Sequence, residues 1–399
     1  MSSAPAGDVF AELVGQEHAV EQLRAAAADA PAARAGQHSQ AMTHAWLITG
    51  PPGSGRSTAA LAFAAALVCP QGGCGYCAEC ESVRHSTHPD VEHIVPESVT
   101  YSVDETRDLI HRASLAPSRS PWHVFVLEDA DRLNPESANA LLKSIEEPTP
   151  GTVWILCAPS TEDVLPTIRS RCRHLMLATP STSDVISALV TTLNVDPAMA
   201  AFAARAAQGH IGRARALATD ESARLRRQDV LRIPMQLKDL GSCLVLASEL
   251  VDTVTADVAS ICDPLDAREL ASLRAAYGEG AEGRGLGTVE RRAKGVVKAL
   301  EDRQKKRRRR VVRDQLDRAI VDLVALYRDV LVVQLGAQST LVNDEMRPQI
   351  ERLAAQSSPE DTLRRVDALE RTRHLLEANV SPLLAFESLT VSLKDPSLA

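Results

Sequence analysis

At 399 residues, with 45% hydrophobic and 24% charged side chains, the chain is long enough to bury two or three domain cores, and its composition is that of a soluble globular protein. No apolar run reaches the roughly 18 residues needed to span a bilayer, and the N-terminus lacks a basic flank leading into an apolar stretch, so a cytoplasmic protein without a membrane contact is expected. A formal net charge of -8 excludes a surface that attracts nucleic acid as a whole and leaves only a local basic face for any such contact.

The first predicted strand is "AWLIT" (45–49), which stops at Gly50. The segment "GPPGSGRS" then leads into "STAALAFAAALV", where Ala and Leu recur at helical spacing, giving strand, glycine loop and helix. In a phosphate-binding loop of form G-x-x-x-x-G-K-[ST], backbone N–H groups wrap a β-phosphate, the lysine reaches the β/γ oxygens and the hydroxyl binds Mg²⁺. Gly50, Gly53, Gly55, Ser57 and Thr58 suit that cradle, but Arg56 stands where the lysine belongs. A guanidinium on a longer stem cannot place one compact charge in the same way. The other reading is a tight turn that never meets phosphate.

Just past that helix, Cys69, Cys74, Cys77 and Cys80 form C-x₄-C-x₂-C-x₂-C, with glycines between them for turns. In a reducing compartment such a cluster reads as metal ligands, and four thiolates make a closed structural zinc site; an iron–sulfur cluster or unliganded thiols remain open. The gap after Cys69 is short, so His85 or His88 is an alternative fourth ligand. Cys157, Cys172, Cys243 and Cys262 lie in apolar surroundings and read as buried small hydrophobes.

Further strands are predicted at "HVFVLEDA" (123–130) and "TVWILCAP" (152–159), and near-continuous apolar strands of this kind indicate a parallel sheet covered on both faces. A helix between them, 134–148, should be capped by Asn134, opened by Pro135 and stopped by Pro148. The second strand ends in Glu128-Asp129, the reverse of the Asp-Glu order that would organise magnesium and then polarise an attacking water. Since about 1 Å of misplacement can cost ~10²-fold, hydrolysis in this loop should be poor.

The α/β region ends near residue 178, a small helical bundle broken at "QGHIGRA" occupies 182–219, and the rest is helical, with "AYGEGAEGRGLG" (276–287) as a loop. In the helix over 299–333, Leu316, Ile320, Leu323, Tyr327 and Val330 form one packing face. The basic run Lys305 to Arg310 within it is either a solvated helix end or a phosphate-facing patch.

Taken in order, "FAELVGQEHAVEQL" (10–23), "HAWLITGPPGSGRS" (44–57), the cysteine cluster, "THPD" (87–90), "NALLKSIEEP" (139–148) and "LPTIRSRC" (165–172) make the chain resemble the bacterial DNA polymerase III clamp-loader subunits, the delta-prime type above all. The likeness is dense over about residues 10–215 and weaker beyond. It implies an AAA+ α/β core over 1–178 carrying a zinc module at 69–80, a helical lid over 179–225, and a helical collar over 226–399 that joins five subunits in a ring. It also implies that Arg171, the arginine of "SRC", reaches the ATP of a neighbouring subunit, and that Ser160 falls near a γ-phosphate sensor. "GHIGR" puts Gly212 where motor subunits carry a lid arginine, with Arg213 one later.

Three parts of a self-contained ATPase are thus altered together while the trans-acting arginine is retained, the pattern of a stator. The partners this resemblance implies are the ATPase subunits and clamp-opening subunit of a hetero-pentameric ring, the sliding clamp and primer-template DNA. The chain would belong to the polymerase holoenzyme without being a polymerase and would show little ATPase activity alone. Two alternatives stand beside this reading: a self-sufficient AAA+ ATPase using Arg56 in place of lysine, and a zinc-containing scaffold with no nucleotide. Lys143 is a candidate phosphate contact, although its neighbours Leu141, Leu142 and Ile145 read as core.

Overall fold

Five parallel strands form the centre of the first of two units, Met1–Asp220, and the chain enters them through helix α1 (Glu17–Arg34). Strand β1 (Ala45–Thr49) is followed by α2 (Arg56–Val68), α3 (Ala78–Arg84), β2 (Val91–Ile94), α4 (Val103–Ala113), β3 (His123–Leu127), α5 (Pro135–Glu146), β4 (Thr152–Ala158), α6 (Pro166–Arg169) and β5 (Arg173–Met176). The strand order is β2-β3-β4-β1-β5, with every pairing parallel. The computed structural model describes residues 8–37, 39–96, 100–276 and 286–398, without the side chains of 276 and 286–294.

Both faces of this sheet are dry because successive side chains of a strand point to opposite sides. Trp46, Ile48, Val124, Val126, Val153, Ile155 and Cys157 enter one core with Leu23 of α1 and Phe63 of α2. Their neighbours Leu47, Phe125, Leu127, Trp154 and Leu156 enter the other with Leu109 of α4 and Leu141 and Ile145 of α5. The core reading of Leu141 and Ile145 therefore holds, and Leu142 is partly buried beside them.

The strand read at 123–130 ends at Leu127, because Asp129 takes a left-handed backbone (φ 48°) that no strand can continue. Helix α5 starts as expected: Asn134 Oδ1 accepts the Ser137 N–H at 2.8 Å, and Pro135 opens the helix. Edge strands β2 and β5 have no counterpart in the predicted elements. They are short, and "RHLM" buries only Leu175, so neither presents the apolar run that marks a central strand.

At the β2 edge, buried Asp90 accepts from the backbone N–H groups of Ser118, Arg119 and Ser120, at 2.6, 2.7 and 2.7 Å, and from the Ser118 hydroxyl. Burial would raise its pKa, but these donors outweigh it and hold the carboxyl at about 2. A folded-state value below the unfolded one contributes stability above about pH 4, and that contribution is lost as pH falls toward 2. We expect Asp90→Asn to remove about 2 kcal/mol at neutral pH and to flatten the acid limb of stability between about pH 4 and 2, as read by urea unfolding.

The bundle predicted at 182–219 consists of α7 (Thr182–Leu193), α8 (Pro197–Ala207) and α9 (Ile211–Thr219). Ser181 and Asp184 form a capping box, Asp196 caps α8, and the break falls at Gln208, which adopts a left-handed backbone.

The second unit, Glu221–Ala399, holds α10 (Glu221–Gln236), α11 (Leu240–Ala276), α12 (Leu286–Gln334), α13 (Arg347–Gln356), α14 (Pro359–Glu377) and α15 (Pro382–Lys394). The predicted face of α12 is its core: Leu316, Ile320, Leu323, Tyr327 and Val330 pack with Phe386 and Leu389. The glycine-rich loop read at 276–287 lies, over 277–285, outside the described residues, and α12 begins at Leu286. The basic run is consequently in the interior of a helix and not at its end. Cys157, Cys243 and Cys262 are buried and Cys172 is half-buried, in keeping with their reading as small hydrophobes; desolvation pushes the Cys172 thiol up to about 12.

Candidate functional site

The glycine loop connects β1 to α2 over residues 50–55, and its backbone demands glycine at two points. Gly53 and Gly55 have φ of 85° and 95°, and a Cβ on Gly53 would sit 2.2 Å from Cγ of His210. His210 precedes α9, accepts the Arg213 N–H on Nδ1 at 3.2 Å, and brings the Ile211 N–H to the Gly53 carbonyl at 3.3 Å. The bundle α7–α9 therefore rests on the loop. Gln16 ties the loop to the chain after β5: Nε2 donates to the Ser54 carbonyl at 3.4 Å and to the Ala178 carbonyl at 2.7 Å, and Oε1 accepts from the Ala178 N–H at 3.1 Å.

Inside the loop the cation at the lysine position is already engaged, while the buried Ser54 hydroxyl has no hydrogen-bond partner among the described residues. The Arg56 guanidinium turns back and donates to the Gly50 carbonyl. Glu128, buried just beyond β3, lies 3.1 Å from Nε2 of His93. Burial alone would raise the Glu128 pKa, yet the His93 contact, the nearby Ser57 hydroxyl and the charges of His93 and Arg56 bring it below the usual carboxylate range.

The remaining candidates are dispersed around this centre. Thr58 is half-buried in the first turn of α2, and Asp129 lies 3.6 Å from the Arg132 guanidinium. Ser160, on the loop after β4, donates its hydroxyl to Asp163 at 2.9 Å. Arg171 stands just beyond α6 with its side chain 39% exposed; it pairs with Glu146 at the end of α5 and donates to the Thr167 carbonyl at 2.9 Å. Gly212 lies in the first turn of α9 with only His210 near it.

The cysteine cluster is assembled in full. The Sγ atoms of Cys69, Cys74, Cys77 and Cys80 all lie within 4.8 Å of one another, with Cys69 at 3.7 Å from Cys74 and 3.6 Å from Cys77. Four thiolates at about 2.3 Å from a tetrahedral ion would stand about 3.8 Å apart, the spacing at which Cys69 stands from Cys74 and Cys77. Cys69, despite its position at the end of α2, is brought in because Gly72 and Gly73 (φ 70° and 106°) reverse the chain behind it. Burial raises the Cys69 thiol, but N–H groups of Cys74, Gly73 and Gln71 aimed at the sulfur outweigh it and bring it to about 7, as a ligand thiolate requires. His88 is not a donor to this group: its Nε2 lies 2.9 Å from Glu79, whose other oxygen lies 2.8 Å from Arg119.

Sequence reasoning did not find His93 or the latch by His210. Neither carries a spacing signal, since both matter only through what the fold brings against them. Gln16 lay within a quoted stretch but was given no role.

Two family models match the chain: one described as DNA polymerase III, delta subunit, over residues 32–181, and one described as DNA polymerase III, delta subunit, C terminal, over 313–393. The chain is 36% identical over 163 residues to the DNA polymerase III subunit delta' of Pseudomonas aeruginosa, covering 39% of this chain and 50% of that protein. It is 36% identical over 170 residues to the gamma/tau subunit of Mycobacterium tuberculosis, covering 41% of this chain and 28% of that one. It thus spans half or less of these relatives. A DNA polymerase III gamma-subunit-related protein of Thermotoga maritima superposes with a TM-score of 0.41 at 15% identity, over 88% of this chain and 93% of that one.

Proposed function

We propose that this chain, which belongs to the DNA polymerase III clamp-loader family, is the stator of that assembly, a subunit of the delta-prime type that supplies Arg171 to the ATP of a neighbour and turns over none itself. The observation that carries this reading is the Arg56 guanidinium folded onto the Gly50 carbonyl, with Glu128 buried and held 3.1 Å from Nε2 of His93. An ATPase needs the Ser57 hydroxyl on Mg²⁺ and a cation aimed at the γ-phosphate. Here the cation at the lysine position is turned onto the loop's own backbone, and a nucleotide would have to displace Arg56 before it could bind.

Arg171 has the opposite character. It is exposed, held by one carboxylate, and able to exchange Glu146 for a more highly charged phosphate when a neighbour docks. A guanidinium supplied in trans neutralises charge developing on the transferred phosphoryl oxygens, so hydrolysis becomes conditional on assembly. The chain's partners would then be the ATPase and clamp-opening subunits of a five-membered ring, the sliding clamp and primed DNA. The cysteine cluster would hold Zn²⁺, which closes the turn after α2 and has no chemistry to perform, because four thiolates leave no position for water.

Titrating the isolated, zinc-loaded chain with a fluorescent ATP analogue while following phosphate release tests the cis half of this proposal. We expect no phosphate release above background at any analogue concentration. Turnover that disappears in Glu128→Gln would overturn the stator reading and favour a self-sufficient ATPase that uses Arg56.

A further inference from the structure

The basic run of α12 does two different things. Arg307 and Arg308 face α11 and are neutralised there: Arg307 pairs with Asp266 and lies 2.7 Å from Glu269, and Arg308 lies 2.7 Å from Asp263. Gln304 joins the same seam, donating to the Asp266 carbonyl at 3.0 Å. Lys298, Lys305, Lys306 and Arg309 are exposed and form no ion pair among the described residues.

The facing helix does not balance them. Every acid of α11 from residue 252 onward is engaged elsewhere: Asp252 with Ser248, Asp257 with Arg226, and Asp263, Asp266 and Glu269 on the seam. On α12 itself, over 298–309, the exposed bases Lys298, Arg303, Lys305, Lys306 and Arg309 outnumber the exposed acids Glu301 and Asp302. Lys305 and Arg309 are also one helical turn apart, a like-charge spacing that weakens a helix by about 0.2–0.5 kcal/mol when no anion lies against it. This local surplus stands on a chain whose net charge is -8.

Lys298, Lys305 and Arg309 fall within about 40° of one another around the helix and span about 16 Å along it. That is a rigid line of cations matching about five phosphate steps of one DNA strand at about 3.4 Å each. Residues 298–309 contain no aromatic side chain on which an unpaired base could stack, so the line suits a regular phosphate backbone better than a single strand. We propose that this stripe of α12 is a sequence-independent docking surface for duplex DNA, independent of the stator reading and remote in sequence from the nucleotide loop.

The test is fluorescence anisotropy of a labelled duplex of about 30 base pairs with the full zinc-loaded chain, at salt concentrations from about 50 to 200 mM. The triple variant Lys298→Gln/Lys305→Gln/Arg309→Gln should lower affinity by at least about tenfold at low salt and reduce the log–log salt slope by about 2.7, some 0.9 for each phosphate that is no longer neutralised. A circular-dichroism melt checks that the triple variant folds, and Arg364→Gln, an exposed arginine on α14, should leave the slope unchanged. Absence of duplex binding by the parent chain, an unchanged slope in a folded triple variant, or tighter binding of the matching single strand would each overturn the proposal.

Discussion

Replacing Arg171 with alanine is expected to lower the ATPase rate of a reconstituted clamp-loader complex by about 10³–10⁵-fold, the range over which a trans-acting arginine acts on phosphoryl transfer. The chain itself should stay folded. Arg171 is exposed, and it bonds a surface carboxylate, Glu146, the Thr167 carbonyl and the Ser170 hydroxyl, so its removal should change stability by no more than about 0.5 kcal/mol. Arg171→Lys should recover only part of the rate, because an ammonium cannot make the planar, two-point contact of a guanidinium. Single-turnover phosphate release by the assembled complex, with assembly verified by its sedimentation, measures this directly. Full activity in a complex containing the alanine variant would remove Arg171 from the mechanism.

The second large effect concerns the cysteine cluster. Cys80→Ser should abolish stoichiometric zinc and destabilise the first unit by more than about 4 kcal/mol, since loss of a structural metal belongs to the severe class of substitutions. The damage should spread beyond the four sulfurs. Helix α3, which carries Cys80, is tied through Glu79 to His88 and Arg119, and Asp90 gathers the backbone at 118–120 just beside them. Opening the cluster therefore loosens the β2 edge of the sheet. Elemental analysis of the purified chain, paired with thermal unfolding before and after chelation, gives the answer. Iron in place of zinc would identify a cluster of different chemistry, and a metal-free chain melting at the same temperature would leave the thiols as unliganded core residues.

The central strands, the glycine loop and the four cysteines were legible in the amino-acid sequence because their signals are local. A buried strand needs an unbroken apolar run, a left-handed loop position needs glycine, and a metal site needs donors at close spacing. Edge strands β2 and β5 were not legible, since an edge is half-solvated and its residues, such as Glu92 and Arg173, carry no apolar pattern. The fate of Arg56 was equally hidden. The sequence places it at the lysine position, but only the packed loop shows its guanidinium turned onto Gly50 while Glu128 pairs with His93.

By itself, then, the sequence determined which segments are buried, where the chain must turn, which residues are competent to hold a metal or meet a phosphate, and that the parts of a cis ATPase are altered. Tertiary structure alone decided which of those competent groups are already occupied. Pairings across 38 to 45 positions set Arg307 and Arg308 against the acids of α11, while Lys305 and Arg309 form no ion pair among the described residues, and a histidine 157 positions from Gly53 came to rest on the loop. The physical reason is that charge, hydrogen-bond capacity and packing are satisfied in space, and the chain's own order says nothing about which distant group arrives first.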